Sequence, residues 1–167
     1  MAEKEKVFSS EVEYSGIFTF KEFYQFCYEW LTEETELKLI EKKYEEKIVG
    51  DIKNILVEWE GAKKFTDYFR FDMKVDFRIT GMATVEIAKG NTKIKTNKGK
   101  IKVKVTGVLV RDYDGKFETS AFSKFLRSIY DKWVIPSRII QFEDAVTSSC
   151  DGFLSQAKAY LDLEGKR

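Results

Sequence analysis

Between Tyr68 and Thr80, Phe69, Phe71, Met73, Val75, Phe77 and Ile79 alternate without a break with Arg70, Asp72, Lys74, Asp76 and Arg78. Successive side chains on a strand point to opposite faces, so this segment has one apolar face and one charged face. Such a strand belongs in an antiparallel sheet that is wet on one side and packed on the other. The segment therefore demands a cover, and the rest of the chain has to supply it.

Helical patterns flank the strand-rich middle. Val7–Ile17 reads as a first strand. Thr19 and Glu22 have the spacing of a capping box, and a helix to about Thr32 follows, with Phe20, Phe23, Cys27, Trp30 and Leu31 as its buried stripe. Phe26 and Tyr28 lie off that stripe, so the helix is covered on two sides. Strands are predicted over Leu37–Val49, Ile52–Glu60, Phe69–Ile79, Thr84–Ala88 and Lys100–Val110. Turns or bulges are placed at Gly50-Asp51, Gly81-Met82, Lys89-Gly90-Asn91 and Asn97-Lys98-Gly99. Val108 and Val110 make the last strand apolar on both faces at its far end, which predicts burial on both sides there.

Phe122, Phe125, Leu126, Ile129, Tyr130, Trp133 and Val134 then repeat at helical spacing. Pro136 ends that helix and opens another, which carries Ile139, Phe142, Val146, Cys150, Phe153, Ala157 and Leu161; Gly152 is a point where it kinks or divides. The expected fold is a single α+β domain over residues 1–167. It is an antiparallel meander sheet of about six strands, with one N-terminal helix and two C-terminal helices packed on its apolar face.

Composition excludes whole classes of chemistry. The chain has no histidine, which removes Ser-His-Asp and Cys-His catalysis, histidine zinc ligation and the usual pH switch. Its two cysteines, Cys27 and Cys150, each fall in an apolar helical pattern and read as buried free thiols. There is no Walker A loop, no G-x-G-x-x-G and no C-x-x-C, so no cofactor and no metal are expected. Asp112-Tyr113-Asp114-Gly115 lacks the length of an EF-hand loop. No apolar run approaches the roughly 20 residues that span a bilayer, and no signal core follows the N-terminal stretch. The chain reads as cytoplasmic, without a membrane span.

Lysine is the one strongly localised residue. Seven lysines and no acid lie between Lys89 and Lys104; setting them aside turns the net charge of +1 into −6 for the remainder. Lys93, Lys95, Lys100, Lys102 and Lys104 are the candidate anion or partner surface. Lys100, Lys102 and Lys104 share a strand face at steps of roughly 6.6–6.8 Å, near the spacing of phosphates along a nucleic-acid strand. The absence of arginine and of interleaved aromatics disfavours nucleic acid, and a solvated face that discourages edge pairing explains the same pattern.

The carboxylate patterns are weaker. Glu58 and Glu60 share a strand face at the distance of an acid/base pair, with Lys63 and Lys64 as available partners. Asp72 and Asp76 are too far apart along the strand for one metal ion. Ser155 and Lys158 have serine–lysine spacing but no companion motif. The small polar run Thr147–Gly152 reads as a close-packed helix segment. No catalytic residue is assigned, and the chain is not expected to be an enzyme.

Glu58-Trp59-Glu60, Asp67-Tyr68-Phe69, residues 95–99, Phe125-Leu126-Arg127, Tyr130-Asp131-Lys132 and residues 159–165 together resemble a set of uncharacterised archaeal proteins. That resemblance covers the chain from about Val57 onward. It implies a prokaryotic cytoplasmic origin and one compact domain, and it carries no activity. The element order also resembles helix-grip ligand-binding folds, at the level of fold alone. The leading expectation is a non-catalytic interaction or assembly domain whose partner is protein, self or other. A domain binding an apolar small molecule or lipid in a cavity between sheet and helices is second. An anion or nucleic-acid binder through the lysines is third.

Overall fold

The computed structural model describes residues 3–113, 121–129, 132 and 136–165. The two-faced segment is the middle of a long strand, β4 (Phe69–Lys89). It pairs with β3 (Ile52–Lys64) on one side and β5 (Thr92–Arg111) on the other. The edges are β2 (Lys38–Val49), beside β3, and β1 (Glu3–Phe18), which returns to lie beside β5. The sheet has five strands in the order β1-β5-β4-β3-β2, all antiparallel.

The count of about six strands is corrected by one merger, and the last strand is longer than expected. Gly81, with φ +65°, and Met82 form a bulge inside β4, where the register with β5 skips from Thr80 to Ala83. Glycine supplies the left-handed conformation this requires, so the chain bends without leaving the sheet. Asn97-Lys98-Gly99, read as a lead-in, lies within β5 and pairs with Phe18, Ile17 and Gly16 of β1.

The apolar face of β4 is covered as its pattern demands. Phe69, Phe71, Met73, Val75, Phe77 and Ile79 are all buried. Their cover is α1 (Phe20–Glu33) and α3 (Pro136–Gly165). From α1, Phe23 meets Phe77 edge-on at 6.2 Å and Tyr24 meets Trp59 at 5.0 Å. The other side of α1 packs on α3, where Phe26 stacks on Tyr160 at 4.6 Å and Trp30 meets Phe153 at 5.8 Å. From the start of α3, Phe142 stacks on Phe65 at 4.8 Å and reaches Phe69 at 4.9 Å. Burying each of these large side chains contributes about 1.5–3 kcal/mol before entropy is counted.

Helix placement differs from expectation at one point. α2 (Ala121–Ile129) keeps its helical form, but Phe125, Leu126 and Ile129 are 60%, 41% and 40% exposed. Among the described residues the apolar face is thus covered by α1 and α3 rather than by a C-terminal pair. The side chain of Phe122 and the positions of Tyr130, Trp133 and Val134 lie outside the described residues. α3 runs through Gly152 undivided, and Gly152 faces the Trp30 ring. At the far end of β5, Val110 is fully buried and Val108 is half-buried.

Two contacts seat the helices. Thr19 is the N-cap of α1 but makes no capping bond; its hydroxyl pairs with that of Thr96 at 3.0 Å. Asn97 Oδ1 accepts from the Phe20 backbone N–H at 3.1 Å, so β5 supplies the cap expected of Thr19 and Glu22. Gly107 lets α3 approach β5: a Cβ there would lie 2.7 Å from both Cys150 Sγ and Val146 Cγ1. Both cysteines are buried and free, and burial pushes the Cys150 thiol up to about 12.

Gly107→Val forces the helix off the sheet or strains the strand, a cost of about 1–3 kcal/mol in urea unfolding. Asn97→Ala leaves an amide of the first helical turn without its partner and costs about 1 kcal/mol by the same measurement.

Candidate functional site

The face of the sheet opposite the helices carries the charged residues, and strand register sets who meets whom. Across the row through Asp76 run Glu11 (β1), Lys104 (β5), Asp76 (β4), Glu58 (β3) and Lys43 (β2). The next row holds Glu13, Lys102, Arg78, Leu56 and Glu45. Where two charged residues are neighbours in these rows they are opposite in sign, except at two junctions, Asp76 against Glu58 and Lys102 against Arg78. Like charges directly opposite are destabilising unless diagonal neighbours compensate.

Beside those two junctions lies a hollow of about 320 Å³ lined by Glu11, Leu56, Glu58, Asp76, Arg78, Lys102 and Lys104. Asp76 Oδ1 is buried there with no hydrogen-bond partner. Burial, then the nearby Glu58 charge, raise the Asp76 carboxyl above its ordinary range against the pull of Lys74, Lys104 and Arg78. Two further hollows open on the same face. One, of about 350 Å³, reaches across all five strands from Lys4 through Val108, Asp72 and Glu60 to Lys42. The other, of about 200 Å³, lies between Glu45, Asn54, Arg78 and Thr80.

The five predicted lysines are divided by the structure. Lys100 reaches Glu13 at 3.5 Å, and Lys102 reaches Glu13 at 3.1 Å and Glu11 at 4.0 Å. The hydrogen bond from Lys102, with the charge of Lys100, holds the Glu13 carboxyl below its usual range. Lys104 lies between Glu11 and Asp76 in register. Lys100 and Lys102 are thus paired with acids of β1. Lys93 and Lys95 lie elsewhere, on the hairpin joining β4 to β5, opposite Ala88 and Glu86.

The carboxylate patterns are rearranged too. Glu58 and Glu60 do share the charged face, but their neighbours come from β2 and β4: Glu60 pairs with Lys42 at 3.8 Å, and Glu58 sits between Lys43 and Asp76. Lys63 instead pairs with Glu36 at 3.4 Å, and Lys64 lies over the Tyr113 ring. Trp59 is buried on the helix side. Asp72 pairs with Arg70 at 2.7 Å. Lys158 donates to the Glu13 carbonyl at 2.8 Å and pairs with Asp162, turned away from any nucleophilic role with exposed Ser155. Among the described residues no group of histidine, cysteine or acidic side chains could hold a metal ion.

The Glu58–Asp76 juxtaposition is the functional feature that sequence reading missed. It depends on the β3–β4 register, and only the alternation of each strand was visible beforehand. Chemically, the hollow can retain a proton on Asp76 or hold a small polar group. Its lining includes no hydroxyl or thiol nucleophile.

Comparisons of the chain with protein-family models, with curated proteins and with solved structures returned no match.

Because folding raises the Asp76 pKa, the native state binds its proton more tightly than the unfolded chain does. The resulting penalty is absent below the unfolded carboxyl range, grows as pH rises toward the folded pKa, and is fully present above it. Asp76→Asn therefore raises the urea midpoint at neutral pH relative to the parent. The difference shrinks as both are titrated to acid, and an unchanged or lowered midpoint at neutral pH refutes the assignment.

Proposed function

We propose that this chain is a non-catalytic interaction domain that assembles with protein through the apolar face of α2. The observation that carries this reading is the exposure of Phe125, Leu126 and Ile129 beside a core that α1 and α3 already cover. An amphipathic helix that is not used to bury its own sheet is a ready-made element for another surface. The charged sheet face supports a binding role over catalysis, since its lysines and acids are largely spent on one another. The small-ligand reading gains less support, because rings from α1, α3, two strands and the β3–β4 connection meet in the space where an apolar cavity would lie.

A cytoplasmic setting and the archaeal resemblance fit this proposal. No helix among the described residues is long and apolar enough to cross a membrane.

Light scattering across a concentration series tests the assembly. The parent chain forms a defined oligomer, and Phe125→Ser with Leu126→Ser converts it to monomer. Because both side chains already face water, the double variant unfolds within about 0.5 kcal/mol of the parent. A parent that stays monomeric at high concentration overturns self-assembly through α2.

A further inference from the structure

The hairpin that holds Lys93 and Lys95 is built differently from the rest of the sheet. β3 stops pairing with β4 at Lys53–Met82, and β1 stops pairing with β5 at Phe18–Asn97. Beyond those points, from Ala83 to Thr96, β4 and β5 pair only with each other, and the register holds to the Lys89–Thr92 closure around Gly90. The result is a two-stranded ribbon standing clear of the sheet. From Ala83 to Lys89 its reach is roughly 20 Å at about 3.4 Å per residue.

Charge is concentrated on this arm. Lys89, Lys93 and Lys95 face a single acid, Glu86. None of the three lysines ion-pairs with a described residue, in contrast to Lys100 and Lys102 at the foot of the same strand. Lys93 and Lys95 share one face of the ribbon, while Ile87 and Ile94 pair on the other. The tip and flanks add Asn91, Thr92 and Thr84, all exposed.

We infer that this ribbon is a nucleic-acid arm that enters a groove of a duplex and binds its phosphates without reading sequence. A major groove about 12 Å wide admits a two-stranded ribbon, and its walls are two rows of phosphate. A narrow rod carrying unpaired cations along its length matches that shape better than it matches a flat anionic surface. Lysine serves as a compact point charge toward phosphate, and the lack of arginine removes base reading without removing affinity. The lysines are thus not one surface: those on the sheet stabilise it, and those on the arm are left for an external anion.

The test uses the full chain and a random-sequence DNA duplex of about 20 base pairs, titrated by fluorescence anisotropy from about 50 to about 200 mM salt. Three phosphate contacts give a log–log slope of about −2.7 and a loss of roughly fortyfold in affinity over that range. Lys89→Gln, Lys93→Gln and Lys95→Gln together reduce the slope by about 3 and abolish binding at the upper salt. Arginine at the same three positions restores binding, so loss of charge is separated from loss of fold. Lys100→Gln with Lys102→Gln leaves the slope unchanged. The inference is overturned by absence of duplex binding at the lowest salt, by a glutamine variant that keeps the parent slope, or by binding to phosphatidylserine vesicles in preference to the duplex.

Discussion

A strand in the middle of a sheet has no spare surface: its edges are paired, and each of its faces must meet helix or water. β4 is that strand here, and its rings from Phe69 to Ile79 can leave water only if something as long as the strand lies across them. The 30-residue α3 meets the requirement along β1 and β5, and α1 covers the side toward β2 and β3. The fit is close enough that Gly107 must go without a side chain where Cys150 and Val146 press on it. Packing density of this order transmits any change of volume to the neighbouring element. Outside that sandwich, the exposed side chains of α2 (Phe125, Leu126 and Ile129) and the ribbon beyond Thr84 and Thr96 are released from the work of folding.

On the other side of the same strands, electrostatics replaces packing. Most of the ion pairs there are exposed, and such pairs are each worth little. Their arrangement matters more than their sum. β5 presents Lys102 and Lys104 to Glu13 and Glu11 of β1, while β4 alternates in sign along its own length, so the pairing is set residue by residue. Asp76–Glu58 and Lys102–Arg78 are the like-charge contacts the register imposes, and burial together with Glu58 raises the carboxyl of Asp76.

The parts of this architecture visible in the sequence were those governed by one strand or one helix alone. The alternation through Phe69–Ile79, the stripe of Phe23, Cys27 and Leu31, and the long C-terminal pattern through Val146, Phe153 and Leu161 all correspond to buried side chains. Features that depend on two distant segments stayed hidden. Asn97 caps a helix 77 residues earlier in the chain, and no local pattern signals that bond. Gly81 was ambiguous because a turn and a bulge both call for a left-handed residue. The apolar stripe of α2 was legible as a helix but not as an outward-facing one, since periodicity states which residues share a face and not what that face meets. The lysine run looked uniform until pairing showed which members have an acid across the strand.

The bulge at Gly81 and Met82 also uncouples length from fold. Inside the sheet, adding one residue to β4 would turn every ring on it toward the solvent. Beyond Thr84 and Asn97 the two strands pair only with each other, so matched insertions or deletions on either side of Gly90 change how far the hairpin extends, by about 6.8 Å for each pair added per strand. Related chains are free to carry longer or shorter versions of it above an unaltered body.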